Sequence, residues 1–297
     1  MKIRYVALFA ACTVLFTGCG SKNNENAGAS ATPDAKATPS ASAAAATPAP
    51  AGDESWKPIL DAYRTYATEQ SDLFVKETEK FVKAVKSGNV EEAKKLYAPT
   101  RMYYERIEPI AEALGDLDPN IDARENDVEE KDWRGFHRIE QALWQKNTTK
   151  GQEEHADRLL NDAKQLRALI ETVEVDSGLL VTGAVELLNE VSASKVTGEE
   201  ERYSHTDLYD FVANVEGAKK IYTLLQPKLK SKDAALEETI GAKFKDLEQA
   251  LATYKEGDGY VSYEKLKQDD TKKLSRLLDA LAEPLSQMGT ILGAAAK

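Results

Sequence analysis

The sequence predicts an all-α fold of antiparallel helical bundles, and the spacing of its apolar residues carries that prediction. After Gly52, apolar side chains recur three or four positions apart through most of the 297-residue chain, as in Leu60, Tyr63, Phe74 and Phe81. No segment alternates apolar and polar residues for long enough to predict a sheet. Short turns are therefore expected between long helices that pack side by side.

The first helix is predicted from its cap to a terminal glycine. Asp53 or Ser55 can accept hydrogen bonds from the first turn, Pro58 suits that turn, and Gly88 ends the periodic segment. The second segment runs over 89–115 and opens with an asparagine and a glutamate three residues apart, as in a capping box.

The second segment contains two prolines and is followed by an acidic stretch. Pro99 and Pro109 are expected to break or kink the second segment, because proline lacks the N–H that a helix interior needs. An acidic loop is predicted over 115–127. The remaining helices are predicted over 129–147, 152–176, 178–196, 206–226, 232–255 and 263–292.

The N-terminus has the layout of a secretory signal that ends in a lipid-attachment cysteine. Lys2 and Arg4 precede an apolar run over 5–16, which is too short to span a membrane. Gly18 before Cys19 resembles the lipobox of bacterial lipoproteins, in which the signal is removed and a lipid such as palmitate is attached to the cysteine. A plain cleaved signal with an incidental cysteine is the alternative.

Three regions follow from this pattern. We predict a signal peptide over 1–18, a disordered tether over 19–52 and a helical domain over 54–297. The tether is rich in alanine, serine, threonine and proline and has too few large apolar residues to offset its chain entropy. The expected location is the extracytoplasmic face of the cell membrane, held by lipid, on a surface like that of a Gram-positive cell.

Charge and cysteine content exclude several functions. The formal net charge is −11, and loss of the two positive residues of the signal lowers it to −13. This surplus of carboxylates argues against nucleic acid and against an anionic membrane surface as partners, and it favours cations or basic partners. Cys12 lies within the predicted signal, so the helical domain has no thiolate metal site, cysteine nucleophile or disulfide.

His137 and Glu140 are the first candidate metal ligands. At positions i and i+3 of a helix, the two side chains leave the same face and can bind one ion. Imidazole nitrogen and carboxylate oxygen suit iron, zinc or manganese. The alternative is a buried histidine that forms a salt bridge with its neighbour, since Phe136, Ile139 and Leu143 indicate a helix packed in the core.

Further carboxylates extend this candidate site. Glu105 and Glu108 form a second i, i+3 pair, and metal sites in helical bundles are built from facing helices that each contribute carboxylates. A solvated face paired with arginine is the alternative for both. Asp207 is a third candidate, although it could equally be an N-terminal helix charge stabilised by the helix dipole.

Calcium binding by the acidic loop is a weaker prediction. Asp116, Asp118, Asn120, Asp122 and Asp127 occupy oxygen-ligand positions of a calcium-loop template. The glycine that the template requires at its sixth position is missing, so the turn is not expected to form. The zinc-protease helix motif with two histidines, serine elbows and phosphate loops are absent as well.

Several of these motifs together resemble a known family. The segment Gly135-Phe136-His137-Arg138-Ile139-Glu140 resembles the Gly-x-His-x-x-Glu signature of imelysin-like proteins. The segments 103–112, 115–122, 203–208 and 214–217 are similar, more narrowly, to EfeO/EfeM lipoproteins of bacterial iron uptake. The resemblance covers 54–297.

The resemblance implies a fold of two four-helix bundles with a metal ion in the cleft between them. His137 and Glu140 match the signature ligands, and Glu105, Glu108 and Asp207 are the best matches for the additional acidic ligands. The implied role is capture of iron, as Fe²⁺ or Fe³⁺, outside the cell and its delivery to a membrane permease, often alongside a secreted haem peroxidase. Zinc and copper are alternative ions.

The chain departs from the family pattern at its N-terminus, and two alternative functions are also considered. Longer relatives carry a copper-binding cupredoxin-like domain at the N-terminus, whereas this chain has only the tether, so capture without oxidation is expected. The first rival is a metal-dependent peptidase of imelysin type. The second is a helical module that binds an acidic surface polysaccharide, directly or through metal bridges. The negative charge disfavours direct contact with such a polyanion.

Overall fold

The computed structural model describes residues 54–193 and 195–293. The predicted signal peptide, Cys19 and the predicted tether lie outside the described residues. In the described part of the chain, no helix is both long and apolar enough to cross a membrane.

The all-α prediction is confirmed. Ten α-helices and one pair of two-residue strands make up most of residues 54–193 and 195–293, together with three single-turn 3₁₀ helices. The helices are α1 (Lys57–Lys86), α2 (Val90–Glu105), α3 (Glu108–Glu112), α4 (Leu117–Asp122), α5 (Phe136–Gln145), α6 (Glu153–Ile170), α7 (Ser177–Ala193), α8 (Asp207–Lys232), α9 (Ala234–Ala252) and α10 (Gln268–Leu292). The strands are β1 (Lys255–Glu256) and β2 (Gly259–Tyr260), paired antiparallel between α9 and α10.

The first bundle comprises α1, α2, α5 and α6. The helix α1 packs along both α2 and α6, and α5 contacts α2 and α6. Aromatic rings fill the centre: Phe136 lies 5.9 Å from Phe74, 5.6 Å from Phe81 and 5.8 Å from Tyr97, measured between ring centroids. These rings are buried and fix the start of α5 against α1 and α2.

The second bundle comprises α7, α8, α9 and α10. The helix α7 packs on α8 and α10, and α9 packs on the same two helices. Leucine and other apolar residues at helical spacing form its core, including Leu187, Leu225, Phe244 and Leu278, all at most 1% exposed. The structure therefore has the two packed four-helix bundles that were expected.

The two bundles meet where α2 packs against α8. Gly217 of α8 allows the close approach, because a Cβ atom at this position would lie 2.5 Å from the carbonyl oxygen of Arg106. The loop that precedes α8 contacts α2 through Glu201 and Arg101. It contacts α5 through the backbone N–H groups of Tyr203 and Ser204, which donate to Glu140. The ends of these helices and this loop define the region that holds the candidate site.

The segment predicted as a helix over 129–147 begins later than expected. The helix α5 starts at Phe136, directly after Gly135, whose φ of +89° is unfavourable for other residues. A Cβ atom on Gly135 would lie 2.3 Å from the carbonyl oxygen of Ile121. The preceding loop is held in place by the indole of Trp133, which donates to the carbonyl of Ala123 at 2.8 Å.

The prolines and the acidic stretch also differ from the prediction. The helix α2 continues through Pro99 and ends at Glu105, so the break comes before Pro109 rather than at Pro99. Pro109 then lies in the first turn of α3, where its missing N–H costs nothing. The predicted loop over 115–127 contains the short helix α4.

Candidate metal centre

Eight carboxylates converge between the two bundles, and we call this group the buried acidic cluster. Seven are at most 4% exposed, and the eighth, Asp122, has a side chain that is 8% exposed. Two fully buried permanent cations, Arg101 and Lys195, accompany them. Burial of this many carboxylates is costly unless protons or a cation compensate the charge. The cluster comprises Glu105, Glu108, Asp122, Glu140, Glu200, Glu201, Asp207 and Asp210.

His137 lies at the centre of this cluster and is only 1% exposed. Its Nδ1 atom lies 2.9 Å from Oε2 of Glu140 and 3.4 Å from the hydroxyl of Tyr97. Placement in the first turn of α5, directly after the Gly135 turn, directs the ring towards the ends of α2 and α4. One ring nitrogen therefore has hydrogen-bond partners within its own bundle.

The other ring nitrogen of His137, Nε2, has no hydrogen-bond partner among the described residues. Nε2 of His137 lies 3.6 Å from Oδ1 of Asp122 and 3.7 Å from Oε1 of Glu200, and no described group forms a hydrogen bond with it. One ligand atom from each of these three residues lies within 4.8 Å of the other two. We call this the Nε2 position, and its nitrogen and two oxygens could hold a metal ion.

Glu140 is bound on both of its oxygens. Oε2 interacts with His137, while Oε1 accepts hydrogen bonds from the backbone N–H groups of Tyr203 at 3.0 Å and Ser204 at 2.8 Å. A carboxylate on Nδ1 of a histidine orients the ring and leaves Nε2 as the metal-binding atom. The predicted pair His137 and Glu140 thus lies together, with Glu140 placed to orient the imidazole.

A second group of close ligand atoms comprises His137, Glu140 and Glu201. Glu201 is already engaged, because its Oε1 lies 2.7 Å from Nε of Arg101 and its Oε2 accepts a hydrogen bond from the Ser204 hydroxyl at 2.7 Å. An ion here would have to displace these partners as well as the His137–Glu140 contact. The Nε2 position needs fewer existing interactions to be broken.

Arg101 links the carboxylates around this site. Its guanidinium forms a very short contact with Asp122, lies 2.6 Å from Oε1 of Glu105 and 3.3 Å from Oδ1 of Asp210, and lies 3.7 Å from Glu200. The side chain is fully buried. Arg101 therefore offsets part of the negative charge and fixes Asp122 and Glu201 in place.

Burial and neighbouring charges raise the pKa of some members of the cluster and lower that of others, such as Glu140, whose pKa is lowered by its hydrogen bond with His137. Burial and the Arg101 guanidinium lower the pKa of His137, but the Glu140 hydrogen bond and the carboxylates of Glu200 and Asp122 outweigh them and raise it to about 9. Burial raises the pKa of the Glu201 carboxyl well above its usual range, with a further contribution from the charge of Glu140. A bound cation would take over the role of the protons that His137 and Glu201 retain.

Glu105 and Glu108 lie in a neighbouring part of the cluster. The ammonium of Lys195 is 2.7 Å from Oε2 of Glu105 and 3.4 Å from Oε2 of Glu108, and the amide of Asn214 donates to both carboxylates. Neither glutamate belongs to a group of ligand atoms that includes His137 in the described structure. The structure thus brings these two predicted ligands to a lysine.

Asp207 has a structural contact. It begins α8, and its Oδ1 accepts a hydrogen bond from the backbone N–H of Glu201 at 3.1 Å. Burial raises the pKa of its carboxyl to about 6. This contact fixes the loop that carries Glu200 and Glu201 against the start of α8.

Three carboxylates of the calcium-loop template each have a separate partner. Asp118 accepts a hydrogen bond from the hydroxyl of Tyr104, Asp122 pairs with Arg101, and Asp127 binds Nε of Arg124 at 3.0 Å. The helix α4 occupies the middle of the segment, and a helix cannot wrap its side chains around one ion as the template requires.

An open pocket of about 280 Å³ adjoins the Nε2 position, and we call it the acidic pocket. Asp122 and Glu200 form part of its wall, so two of the three candidate ligands face both His137 and this space. Its other acidic lining residues are Glu108, Glu112, Asp118, Asp127 and Glu190.

Asp122 and Glu200 were not among the ligands predicted from the sequence. Asp122 appeared only as a calcium-loop position, and Glu200 lies in a loop without helical spacing to any other ligand. The adjacent acidic pair Glu200-Glu201, close before the segment 203–208, was the one local signal available.

Comparison with known proteins agrees with this architecture. Residues 59–288 match the model of the imelysin family, also described as peptidase M75. An EfeM/EfeO family lipoprotein of Staphylococcus haemolyticus is 50% identical over 237 residues, which cover 77% of this chain and 82% of that protein. One of Staphylococcus aureus is 49% identical over 241 residues, which cover 79% of this chain and 85% of that protein. The chain therefore belongs to the imelysin family and, within it, to the EfeM/EfeO family.

Proposed function

We propose that this chain is a lipid-anchored carrier that captures iron outside the cell and delivers it to a membrane permease. The observation that carries the proposal is the buried Nε2 atom of His137, which has no hydrogen-bond partner among the described residues and lies between two carboxylates. An imidazole nitrogen without a partner is costly in a buried site unless a ligand binds it.

The donor set suits a transition-metal cargo. One imidazole nitrogen and two carboxylate oxygens match the ligands that iron accepts, whereas calcium and magnesium favour oxygen alone. Glu140 holds Nδ1, so the lone pair of Nε2 is directed to the position between Asp122 and Glu200. Zinc and copper would fit the same atoms, and a binding series across these ions tests the preference for iron.

Release is as important to a carrier as capture. The two carboxylates of the Nε2 position also face the acidic pocket, so the ion would keep coordination positions open on one side. Glu200 is shared with Arg124 at 2.8 Å and Asp122 is shared with Arg101, which weakens the hold of each carboxylate on a cation. Such a site favours exchange over permanent retention.

The sequence and the names of the relatives support the proposed lipid anchor, and the proposed partners complete the route of the ion. The relatives in both staphylococci are named lipoproteins, and Cys19 offers the matching attachment site in this chain. A permease in the same membrane is the recipient that such a carrier needs. A secreted haem peroxidase is a further candidate partner.

A peptidase function is the second candidate, because the family is also described as peptidase M75. A metal peptidase needs a general base beside the metal-bound water. The nearby carboxylates of Glu140 and Glu201 are both held, the first by His137 and two backbone N–H groups and the second by Arg101 and Ser204. Incubation of the metal-loaded protein with a peptide mixture should yield no new cleavage products.

Substitution of the histidine tests the proposed site. We expect His137→Ala to weaken Fe²⁺ binding at least tenfold, since it removes the one nitrogen ligand, with helix content unchanged by circular dichroism. Titration calorimetry under anaerobic conditions measures the affinity. His155→Ala, on α6, is the matched control and should bind as the wild type does. Equal affinities for both variants would contradict the assignment.

A further inference from the structure

The acidic pocket carries a strong excess of negative charge. Among the described residues that line it, Arg124 is the one cationic side chain, and it is bound by Asp127 at 3.0 Å and by Glu200 at 2.8 Å. Lys195 lies behind the wall and pairs with Glu108 and Glu190 at 3.4 and 3.5 Å. The positive groups nearby are thus already matched by carboxylates.

Glu112 and Asp118 stand apart from these pairs. In the described ranges, neither forms an ion pair with a lysine or arginine, and Asp118 accepts its hydrogen bond from the neutral hydroxyl of Tyr104. Glu112 is exposed at the rim of the pocket. Burial raises the pKa of the Glu112 carboxyl to about 7 and that of Asp118 to about 6. Above neutral pH, both side chains therefore direct negative charge into the space through which a solute would approach.

A second, independent feature indicates where a cation that enters this pocket would bind. The Nε2 atom of His137 is buried and without a hydrogen-bond partner among the described residues. It lies directly behind Asp122 and Glu200, which form part of the pocket wall. A cation that enters the pocket thus meets the two carboxylates first and the imidazole next.

We propose that the acidic pocket is the entrance for the cargo, and that it admits free hydrated cations while rejecting iron held in anionic chelates. This inference rests on the proposed function. It assigns Glu112 and Asp118 a role in capture that is separate from ligation at the Nε2 position.

Size and charge both support this selectivity. A cation with six waters occupies about 180 Å³ at roughly 30 Å³ per water. It therefore fits the 280 Å³ pocket with its hydration shell and can exchange waters for carboxylates inside. A negatively charged chelate is repelled by the same carboxylates, whereas a cation is concentrated at the entrance and its association rate rises by about 10- to 1,000-fold.

The first test compares association rates of Fe²⁺ alone at about pH 8, where Glu112 and Asp118 are both ionised. The double variant Glu112→Gln with Asp118→Asn removes two charges from the pocket while keeping side-chain size. The matched control, Glu238→Gln with Asp246→Asn, removes one glutamate and one aspartate from exposed positions of α9. Anaerobic stopped-flow fluorescence reports binding, because the indole of Trp133 is hydrogen-bonded next to Asp122.

The pocket variant should associate with Fe²⁺ about tenfold more slowly than the wild type at low ionic strength, and added salt should narrow the difference. The control should stay within about twofold of the wild type. Equal rates for all three proteins, or equal slowing of both variants, would overturn the proposal. If the double variant fails to fold, Glu112→Gln alone decides the question, since its side chain is exposed.

The second test compares Fe²⁺ alone with Fe²⁺ in its complex with nitrilotriacetate. We expect loading from the anionic complex to proceed at the rate of chelate dissociation, independent of protein concentration. A rate that rises with protein concentration as steeply as for Fe²⁺ alone would overturn the selectivity. Absence of Fe²⁺ binding to the wild type would contradict the proposed function itself, whereas normal binding with unaltered pocket kinetics would contradict only this inference.

Discussion

At the scale of single residues, the histidine and the glutamate of the Gly-x-His-x-x-Glu segment have different roles. Glu140 binds Nδ1 of His137 and two backbone N–H groups, while Nε2 of His137 faces Asp122 and Glu200. The i, i+3 spacing therefore produces an oriented imidazole, and the candidate carboxylate ligands of the Nε2 position come from elsewhere in the chain.

Neutralising Glu140 tests this division of roles. We expect Glu140→Gln to weaken Fe²⁺ binding about 10- to 100-fold, because an amide holds the imidazole less firmly and makes it a poorer ligand. Titration calorimetry measures the change, and Glu238→Gln on the surface of α9 is the matched control. Wild-type affinity in Glu140→Gln would show that the His137–Glu140 contact does not support metal binding.

The raised pKa of His137 predicts pH-dependent affinity. With a pKa of about 9 in the metal-free protein, the imidazole is protonated at pH 7, and an incoming ion must displace that proton. Affinity should therefore fall as pH decreases below 9, by about tenfold per pH unit for one displaced proton.

Calorimetry in two buffers of different ionisation enthalpy measures the protons released when Fe²⁺ binds. At pH 7 we expect release of one proton or more, since Glu201 and Asp210 also have raised pKa values as a result of burial. Binding without proton release would mean that His137 is not the ligand.

At the scale of elements, the start of α5 decides where the imidazole lies. Gly135 has a φ of +89°, and a Cβ atom there would lie 2.3 Å from the carbonyl of Ile121 at the end of α4. This close approach brings Asp122 of α4 next to His137 of α5. The close placement of these two candidate ligands thus depends on the absence of a side chain at Gly135.

Comparison of two glycines tests this dependence. Gly88 has a similar φ of +79°, but a Cβ atom there would have no neighbour within 4 Å, so Gly88→Ala isolates the cost of backbone strain, about 1–3 kcal/mol. We expect Gly135→Ala to lose more stability in urea denaturation and to bind Fe²⁺ more weakly, because it also separates α4 from α5. Gly88→Ala should retain wild-type affinity.

Equal loss of stability in the two variants, with equal affinity, would show that the α4–α5 contact does not position the site. A selective loss of affinity in Gly135→Ala, beyond its effect on stability, would support the contact. Urea denaturation and titration calorimetry on the same preparations separate the two effects.

At the scale of the whole molecule, the sequence predicts the fold more completely than it predicts the candidate metal ligands. Long amphipathic helices such as α1 and α10 can be predicted from the spacing of their apolar residues, because each helix buries one face against its neighbours. The start of α5 at Phe136 was harder to predict from the sequence, because it depends on the contact between Gly135 and Ile121.

The site depends on contacts between distant parts of the chain. Asp122 and Glu200 are 78 positions apart in sequence and meet only because the loop before α8 folds over the first bundle. Likewise, Lys195 reaches Glu105 across 90 positions, so one residue of the predicted ligand pair has a buried lysine as its partner. No local periodicity encodes either arrangement, so the sequence alone indicated His137 more clearly than its partners.

We propose that iron binds at Nε2 of His137, between Asp122 and Glu200. Anomalous diffraction at the iron absorption edge, from crystals grown with Fe²⁺, tests it most directly. We predict one strong peak within bonding distance of Nε2 and of one carboxylate oxygen from each of Asp122 and Glu200, with Glu140 still on Nδ1. A peak between Glu140 and Glu201, or one beside Glu105 and Glu108, would contradict the account.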